Sequence, residues 1–150
     1  IQDTLEYIKD KIPINIYSIK SGEQVFDWKV PKEWNIKDAY IKNEAGKKII
    51  DFNESNIHVV GYSSPIHKTL DLDELDKYLY TLPELPEAIP YITSYYKETW
   101  GFCMSHKQRQ GLTKGKYKVH IDSSLEDGSL TYAELFIKGE SKKEIFISYN

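Results

Sequence analysis

The sequence predicts an α+β fold with a β-rich body. Its 150 residues suffice for one domain with a substantial core, and 40% of them are hydrophobic. Short runs that alternate apolar and polar residues recur along the chain, whereas helical spacing appears in few places. Together these observations predict about seven or eight short strands, in mixed or antiparallel sheets, with two or three helices.

The first third of the chain is predicted to contain one helix and two strands. Apolar residues fall at helical spacing over residues 1–12, and Pro13 ends that pattern. Residues 14–20 alternate as a strand. Residues 24–36 surround Pro31, which cannot donate a hydrogen bond to a neighbouring strand, so they predict an edge strand followed by a turn.

The middle third combines a hairpin, a strand and a helix. Residues 38–52 read as two strand-like runs joined by a turn, and residues 56–62 as a short apolar strand. Residues 70–82 carry leucines at helical spacing. Asp71 and Glu74 stand in the positions of a capping box, which predicts that a helix begins there.

The last third is predicted to be mostly strands. The proline-rich residues 83–90 suit an extended crossing rather than a regular element. Residues 117–122 and 130–139 alternate as strands around a turn at 125–129, which contains Asp-Gly. Residues 144–149 predict one further strand.

Composition argues against several classes of function. Twenty Lys and Arg residues against 23 Asp and Glu residues give a net charge of −3, so the chain has no excess of basic residues for binding nucleic acid. A single Cys cannot form an internal disulfide, which favours a cytoplasmic protein. No run approaches the roughly 18 to 20 apolar residues of a membrane span. We therefore expect neither nucleic acid nor a membrane as partner.

Cys103 and His106 raise the question of a nucleophile and its base. Ser105 and Gln108 form a second predicted capping box, so a helix is expected to begin at His106 with Cys103 just before it. A catalytic thiol would need His106 within hydrogen-bond reach and a lowered pKa. Residues on opposite sides of a helix start rarely point at each other, so we favour packing as the role of Cys103.

Histidine spacing gives no metal motif. The chain has four His, at positions 58, 67, 106 and 120, and none forms a pair one helical turn apart with a nearby Glu. The sequence therefore assigns no metal ligand and no catalytic residue to this chain. The aromatic residues that follow the proline-rich crossing, within 91–102, suit either a binding pocket or a small core, and these two interpretations stay open.

Four stretches resemble a bacterial family of zinc aminopeptidases, also labelled polysaccharide-biosynthesis proteins with an aminopeptidase-like domain. They are VFDWKVPKEWNIKDAYI, HVVGYSSPIHKTLDLDEL, TLPELPEAIPYITSYYKETWGFCMSH and YKVHIDSSLEDGSLTYAE. The resemblance covers almost the whole chain, and its most specific part is the Trp-Gly-Phe-Cys block. It implies a catalytic α/β core of the zinc-exopeptidase type, interrupted by a β-rich inserted domain similar to protease-associated (swivelling β/β/α) domains.

The resemblance implies that this chain is the inserted domain with short flanks, residues 1–12 and 143–150, of the catalytic core. The zinc ligands and the catalytic carboxylate of the longer protein would then lie outside it, and this chain would shape the cleft for a small peptide or amide substrate. The side chains expected on the substrate side are Tyr95, Tyr96, Trp100, His106 and Arg109. The alternative is a saccharide- or peptide-binding module without catalytic activity.

Overall fold

The computed structural model describes residues 1–95 and 97–149, in two compact units. One unit consists of Ile1–Val30 and the chain from Ser129 on, and we call it the flanking unit. The other is the continuous segment Pro31–Gly128, which we call the sheet unit. Both predicted flanks, 1–12 and 143–149 as far as described, belong to the flanking unit.

The described residues form ten strands, three α-helices and two short 3₁₀ helices. The strands are β1 (Asn15–Lys20), β2 (Gln24–Val25), β3 (Trp28–Lys29), β4 (Glu33–Lys42), β5 (Lys48–Asp51), β6 (Ile66–Asp71), β7 (Leu79–Tyr80), β8 (Phe102–Cys103), β9 (Lys116–Glu126) and β10 (Ser129–Glu134). The helices are α1 (Gln2–Lys9), α2 (Leu72–Leu75) and α3 (His106–Gln110), with 3₁₀ helices at Asn56–His58 and Asp76–Tyr78. The predicted β-rich α+β class is confirmed. None of the described helices has the length and apolar character needed to cross a membrane.

The flanking unit is built on one antiparallel strand pair. β1 pairs with β10 from Asn15 opposite Glu134 to Lys20 opposite Ser129, and the Tyr17 ring stacks on its cross-strand partner Tyr132. α1 has no buried residue. The prediction of a strand at 144–149 is wrong, because the described residues after β10 form no regular element and their apolar side chains are exposed.

The sheet unit contains a four-stranded antiparallel sheet in the order β5-β4-β9-β6. Alternation along β4 and β9 places Ala39 and Ile41 opposite Ile121 and Val119, all fully buried, on one face. The chain between β6 and β9 covers this face. Phe102, Met104, Leu75 and Tyr117 complete the core with them.

Three further predicted elements differ from the observed ones. Residues 24–36, expected as an edge strand followed by a turn, form β2, β3 and the start of β4, which lies inside the sheet. The helix expected at 70–82 has its predicted capping box, but α2 ends at Leu75 and Leu79 lies in β7. β7 pairs in parallel with the distant β8, and this long-range pairing overrides the local helical pattern. Residues 56–62, predicted as a strand, form a 3₁₀ helix followed by isolated bridges at Val59 and Gly61. β6 was not predicted.

Candidate functional site

The predicted substrate-side residues His106 and Arg109 lie on α3. The Ser105 hydroxyl accepts a hydrogen bond from the Gln108 backbone N–H at 3.1 Å, and this predicted cap starts the helix at His106. His106 Nδ1 lies 3.0 Å from Thr81 Oγ1, within hydrogen-bond distance. The α3 surface is therefore tied to the segment that follows β7.

Arg109 is engaged in an ion pair with Asp76. Its Nε donates a hydrogen bond to Asp76 Oδ1, and this bond lowers the pKa of the Asp76 carboxyl. The same bond raises the pKa of Arg109. Because the Arg109 guanidinium is already paired within the unit, a substrate carboxylate would have to compete with Asp76 for it.

Trp100 packs beside the core. Its ring stacks on Tyr78 with the ring centroids 3.9 Å apart and the planes 14° apart, and it contacts Phe102 edge to face. One face of the indole is thus covered by Tyr78. Trp100 is half-buried against the hydrophobic core, which makes packing its main structural role.

Tyr95 lies at a different place, in a shallow cleft. Its ring meets the Tyr62 ring edge to face at 4.7 Å between centroids. The cleft has a volume of about 280 Å³ and is lined by both tyrosines, by Leu125, by the lysines at positions 32 and 97 and by the carboxylate residue Glu98, among others. We call it the Tyr62 cleft. The fifth predicted residue, Tyr96, lies outside the described residues.

Tyr62 is the cleft residue that the sequence did not reveal. It adopts φ +65°, a left-handed conformation that is unfavourable for a bulky side chain. The next residue holds this turn: the Ser63 carbonyl accepts hydrogen bonds from Trp34 Nε1 at 2.9 Å and from Ser123 Oγ at 2.7 Å. The Trp34 ring also stacks on Tyr62 at 6.0 Å between centroids. Two strands of the sheet therefore fix the Tyr62 ring at the cleft.

The environment of Tyr62 is partly desolvated. Burial raises the pKa of its hydroxyl, and the negative charge of Glu33 adds to that shift. The phenol therefore remains a neutral hydrogen-bond donor and acceptor through the physiological pH range. An aromatic wall with a neutral hydroxyl and two lysines at the cleft suits a polar ligand better than a purely apolar one.

Cys103 is not arranged as a nucleophile. It is fully buried in β8, and burial raises the pKa of its thiol to about 11. Its backbone carbonyl accepts a hydrogen bond from His58 Nδ1 at 2.8 Å, while His106 is directed to Thr81. The geometry supports the packing role that the sequence favoured. Across residues 1–95 and 97–149, no three His, Cys, Asp or Glu side chains are grouped so as to hold a metal ion.

A protein family, a named protein and a crystal structure are similar to this chain. The family described as "Domain of unknown function (DUF2172)" matches residues 33–124. A protein of Clostridium acetobutylicum named "Putative polysaccharide biosynthesis protein with aminopeptidase-like domain" is 54% identical over 148 residues, covering 99% of this chain and 34% of that protein. The crystal structure of a "putative peptidase" from the same organism superimposes with a TM-score of 0.83 at 56% identity, covering 93% of this chain and 33% of that one. The chain thus spans about a third of the length of the relatives it matches.

Proposed function

This chain belongs to the DUF2172 family, and from that premise we propose that its sheet unit is a non-catalytic domain inserted into an aminopeptidase-like hydrolase. In the longer protein it would restrict access to the cleft where an N-terminal peptide or a related amide is hydrolysed. Its partner would be the catalytic core, supplied by the other two thirds of such a protein.

The observation that carries this proposal is the path of the chain. The flanking unit is made of two separate segments that pair with each other through β1 and β10. Between them runs the sheet unit, whose first and last strand residues, Glu33 and Glu126, are direct partners. A compact segment whose ends meet can be inserted into another fold with little disturbance. The family match, 33–124, falls within this segment.

Exposed apolar residues support a contact between the flanking unit and a catalytic core. Large hydrophobic side chains on the described part after β10 are mostly open to solvent, and exposed apolar side chains in such number are candidates for a contact surface. They are Leu135, Phe136, Ile137, Ile145, Phe146, Ile147 and Tyr149. A core that covers them would also hold the inserted unit in place.

Zinc is the metal that the resemblance implies for the longer protein. The described residues of this chain do not fit such a centre, because they contain no cluster of three metal-binding side chains. We therefore propose that any catalytic zinc is bound by the remaining two thirds of the protein. The contribution of this chain would be steric, through the surfaces around α3 and the Tyr62 cleft.

The direct test removes the sheet unit from a full-length protein. In the Clostridium acetobutylicum relative, the segment equivalent to 31–128 is replaced by a short Gly-Ser linker, because the first and last strand residues of the segment are direct partners and its ends therefore lie near each other. We expect metal content and hydrolysis of a small aminoacyl amide to persist, and hydrolysis of longer peptides to increase relative to the small substrate. Metal and turnover are measured in parallel on the 150-residue chain, which should show neither.

A matched control keeps the sheet unit and lengthens only the β4–β5 turn by two glycines next to Gly46, whose φ of +77° marks an open turn. This variant should keep the substrate preference of the unmodified protein. If the deletion abolished metal binding, or if the 150-residue chain alone hydrolysed the amide, the proposal that the sheet unit is non-catalytic and that the rest of the protein binds the metal would be wrong.

The Tyr62 cleft supports the second candidate, a saccharide- or peptide-binding module. Its volume of about 280 Å³ is close to the lower end of ligand pockets, and its tyrosines and lysines offer both stacking and hydrogen bonding. Titration of the chain with oligosaccharides and short peptides, followed by NMR, should shift resonances around Tyr62 and Tyr95. Tyr95→Ala should remove the response, whereas Tyr7→Ala, on exposed α1, should keep it. Shifts spread evenly over the chain would contradict this candidate.

A further inference from the structure

The outer face of the four-stranded sheet carries two histidines in direct contact. His67 on β6 and His120 on β9 are register partners, and their Nδ1 atoms lie 2.9 Å apart. Their rings meet edge to face, with centroids 5.0 Å apart and planes at 79°. The proposed function makes no use of this pair, which lies on the face opposite the buried core.

We propose that His67 and His120 form a binding site for a tetragonal divalent transition-metal ion, Cu²⁺ or Ni²⁺. Imidazole nitrogen is a favoured ligand of both ions. Two nitrogens bonded at roughly 2.0 Å in neighbouring square-planar positions are about 2.8 Å apart, whereas two tetrahedral ligands are about 3.3 Å apart. In the structure the two Nδ1 atoms share a hydrogen bond at 2.9 Å, so an ion would take its place once the protonated imidazole shifts to its Nε2–H tautomer, and the two nitrogens already lie near the separation of neighbouring tetragonal ligands.

The sheet positions this pair independently of any ion. Antiparallel pairing of β6 with β9 fixes the two backbones, so the imidazoles start from neighbouring Cβ atoms. Tyr40 on β4 is the partner of His120 on its other side, and its ring lies 4.9 Å from the His120 ring. The terminal torsion of histidine is broad, so small rotations suffice to aim both Nδ1 lone pairs at one point.

Charges on the same face are of both signs. Lys42 and Lys48 hold their ammonium groups over the Tyr40 ring, at 4.4 and 5.3 Å from its centroid. In the other direction along the strands, the cross-strand pair Asp38 and Asp122 follows two residues from Tyr40 and His120. These carboxylates favour a cation nearby, although within the described residues they do not form a three-ligand group with the histidines. Solvent would complete the coordination, so we expect an accessible and exchangeable site.

The test is a titration of the 150-residue chain with Cu²⁺, followed by electron paramagnetic resonance and isothermal calorimetry. We expect one tight site per chain with a tetragonal signal that shows coupling to two imidazole nitrogens. His67→Gln and His120→Gln should each lower the affinity by about 10-fold or more, because each removes one of two protein ligands. His106→Gln is the matched control and should leave the affinity unchanged, since His106 lies on α3.

NMR of the unmodified chain provides a second measurement that needs no variant. Bound Cu²⁺ should broaden amide resonances of β6 and β9 around the two histidines before those of α3. Two outcomes would overturn the proposal: a Cu²⁺ affinity that neither single histidine variant lowers, or broadening that begins elsewhere. A Zn²⁺ affinity equal to or above that for Cu²⁺ would refute the tetragonal geometry.

Discussion

Gly101 is a buried position where a single methyl group tests the packing of the sheet unit. Its backbone N–H donates to Ser63 Oγ at 3.2 Å, and its carbonyl accepts from the Val60 N–H at 3.1 Å. A Cβ atom at this position would stand 2.7 Å from Cε2 of Tyr80 and 3.0 Å from Cγ2 of Val60. It would also stand 3.1 Å from the Tyr78 carbonyl oxygen, which belongs to the backbone and cannot rotate away.

The expected cost of Gly101→Ala follows from these distances. Optimal contacts between carbon atoms lie at about 3.5 to 4.0 Å, so the surroundings must move, and inserting a methyl group into a packed site costs roughly 1–3 kcal/mol. Alanine also restricts the unfolded chain, which raises the free energy of unfolding by about 0.4–1 kcal/mol. The free energy of unfolding should therefore fall by roughly 1.5 kcal/mol. With a urea m-value of about 1–3 kcal/mol/M, the midpoint should drop by about 0.5–1.5 M.

Gly111→Ala is the matched control, because it makes the same chemical change where space exists. Gly111 has φ −77°, and a Cβ there would lie 3.4 Å from the nearest atom, the Gln108 carbonyl oxygen. The urea midpoint of the Gly111→Ala variant should equal that of the unmodified chain or lie slightly above it, because alanine restricts the unfolded chain. Urea unfolding is followed by the fluorescence of Trp34 and Trp100, both in the sheet unit, in a Trp28→Phe background. Equal midpoints for the two variants would refute the packing argument at Gly101.

Three further outcomes follow from the structure. At pH 8 in native buffer, the Cys103 thiol should react with a disulfide reagent at least about 100-fold more slowly than in urea, because the side chain is fully buried and burial raises its pKa to about 11; equal rates would contradict this. Asp76→Asn should lower the urea midpoint more at pH 7 than at pH 3. A carboxyl whose pKa is lower in the folded protein than in the unfolded chain adds stability above its unfolded-state pKa, and this stability is lost as the pH falls through its folded-state pKa. The partial exposure of Asp76 limits the difference to under about 1 kcal/mol. Ser105→Ala should cost about 1 kcal/mol of stability through loss of the α3 cap, and Ser105→Asp should restore most of it.

The features that could be predicted from sequence depend on local hydrogen bonds. Both capping boxes, at Asp71 with Glu74 and at Ser105 with Gln108, join residues three apart, so the sequence alone specifies them. The β4–β5 hairpin was likewise predicted from its turn residues. The hairpin predicted around Asp127-Gly128 is wrong, because β9 pairs with β4 and β6 whereas β10 pairs with β1. The extent of each element was less predictable. α2 continues as a 3₁₀ helix to Tyr78, and the helical conformation ends at Leu79, where β7 pairs with β8 and the Tyr80 carbonyl accepts a hydrogen bond from the Met104 N–H, 24 positions away.

Exposed and strained features escaped prediction for a different reason. β6 is an edge strand with little burial, so its side chains carry no strong apolar alternation. Without that strand, the contact between His67 and His120 could not be anticipated. Tyr62 adopts a left-handed conformation that only Gly or Asn would signal in a sequence. Its conformation depends on Trp34 and Ser123, which come from other strands.

The change from strand to helix explains why neighbouring residues in the Trp-Gly-Phe-Cys region serve separate surfaces. Cys103 is the last residue of β8 and lies in the core, whereas His106 is the first residue of α3 and contacts Thr81. A strand sends alternate side chains to opposite faces, while a helix start redirects the chain within one residue of its cap. Tyr95, a few positions earlier, belongs to the Tyr62 cleft. Spacing in sequence raised the question of a nucleophile with a base, but the change from strand to helix between Cys103 and His106 places the two side chains in different surroundings, the core for Cys103 and Thr81 for His106.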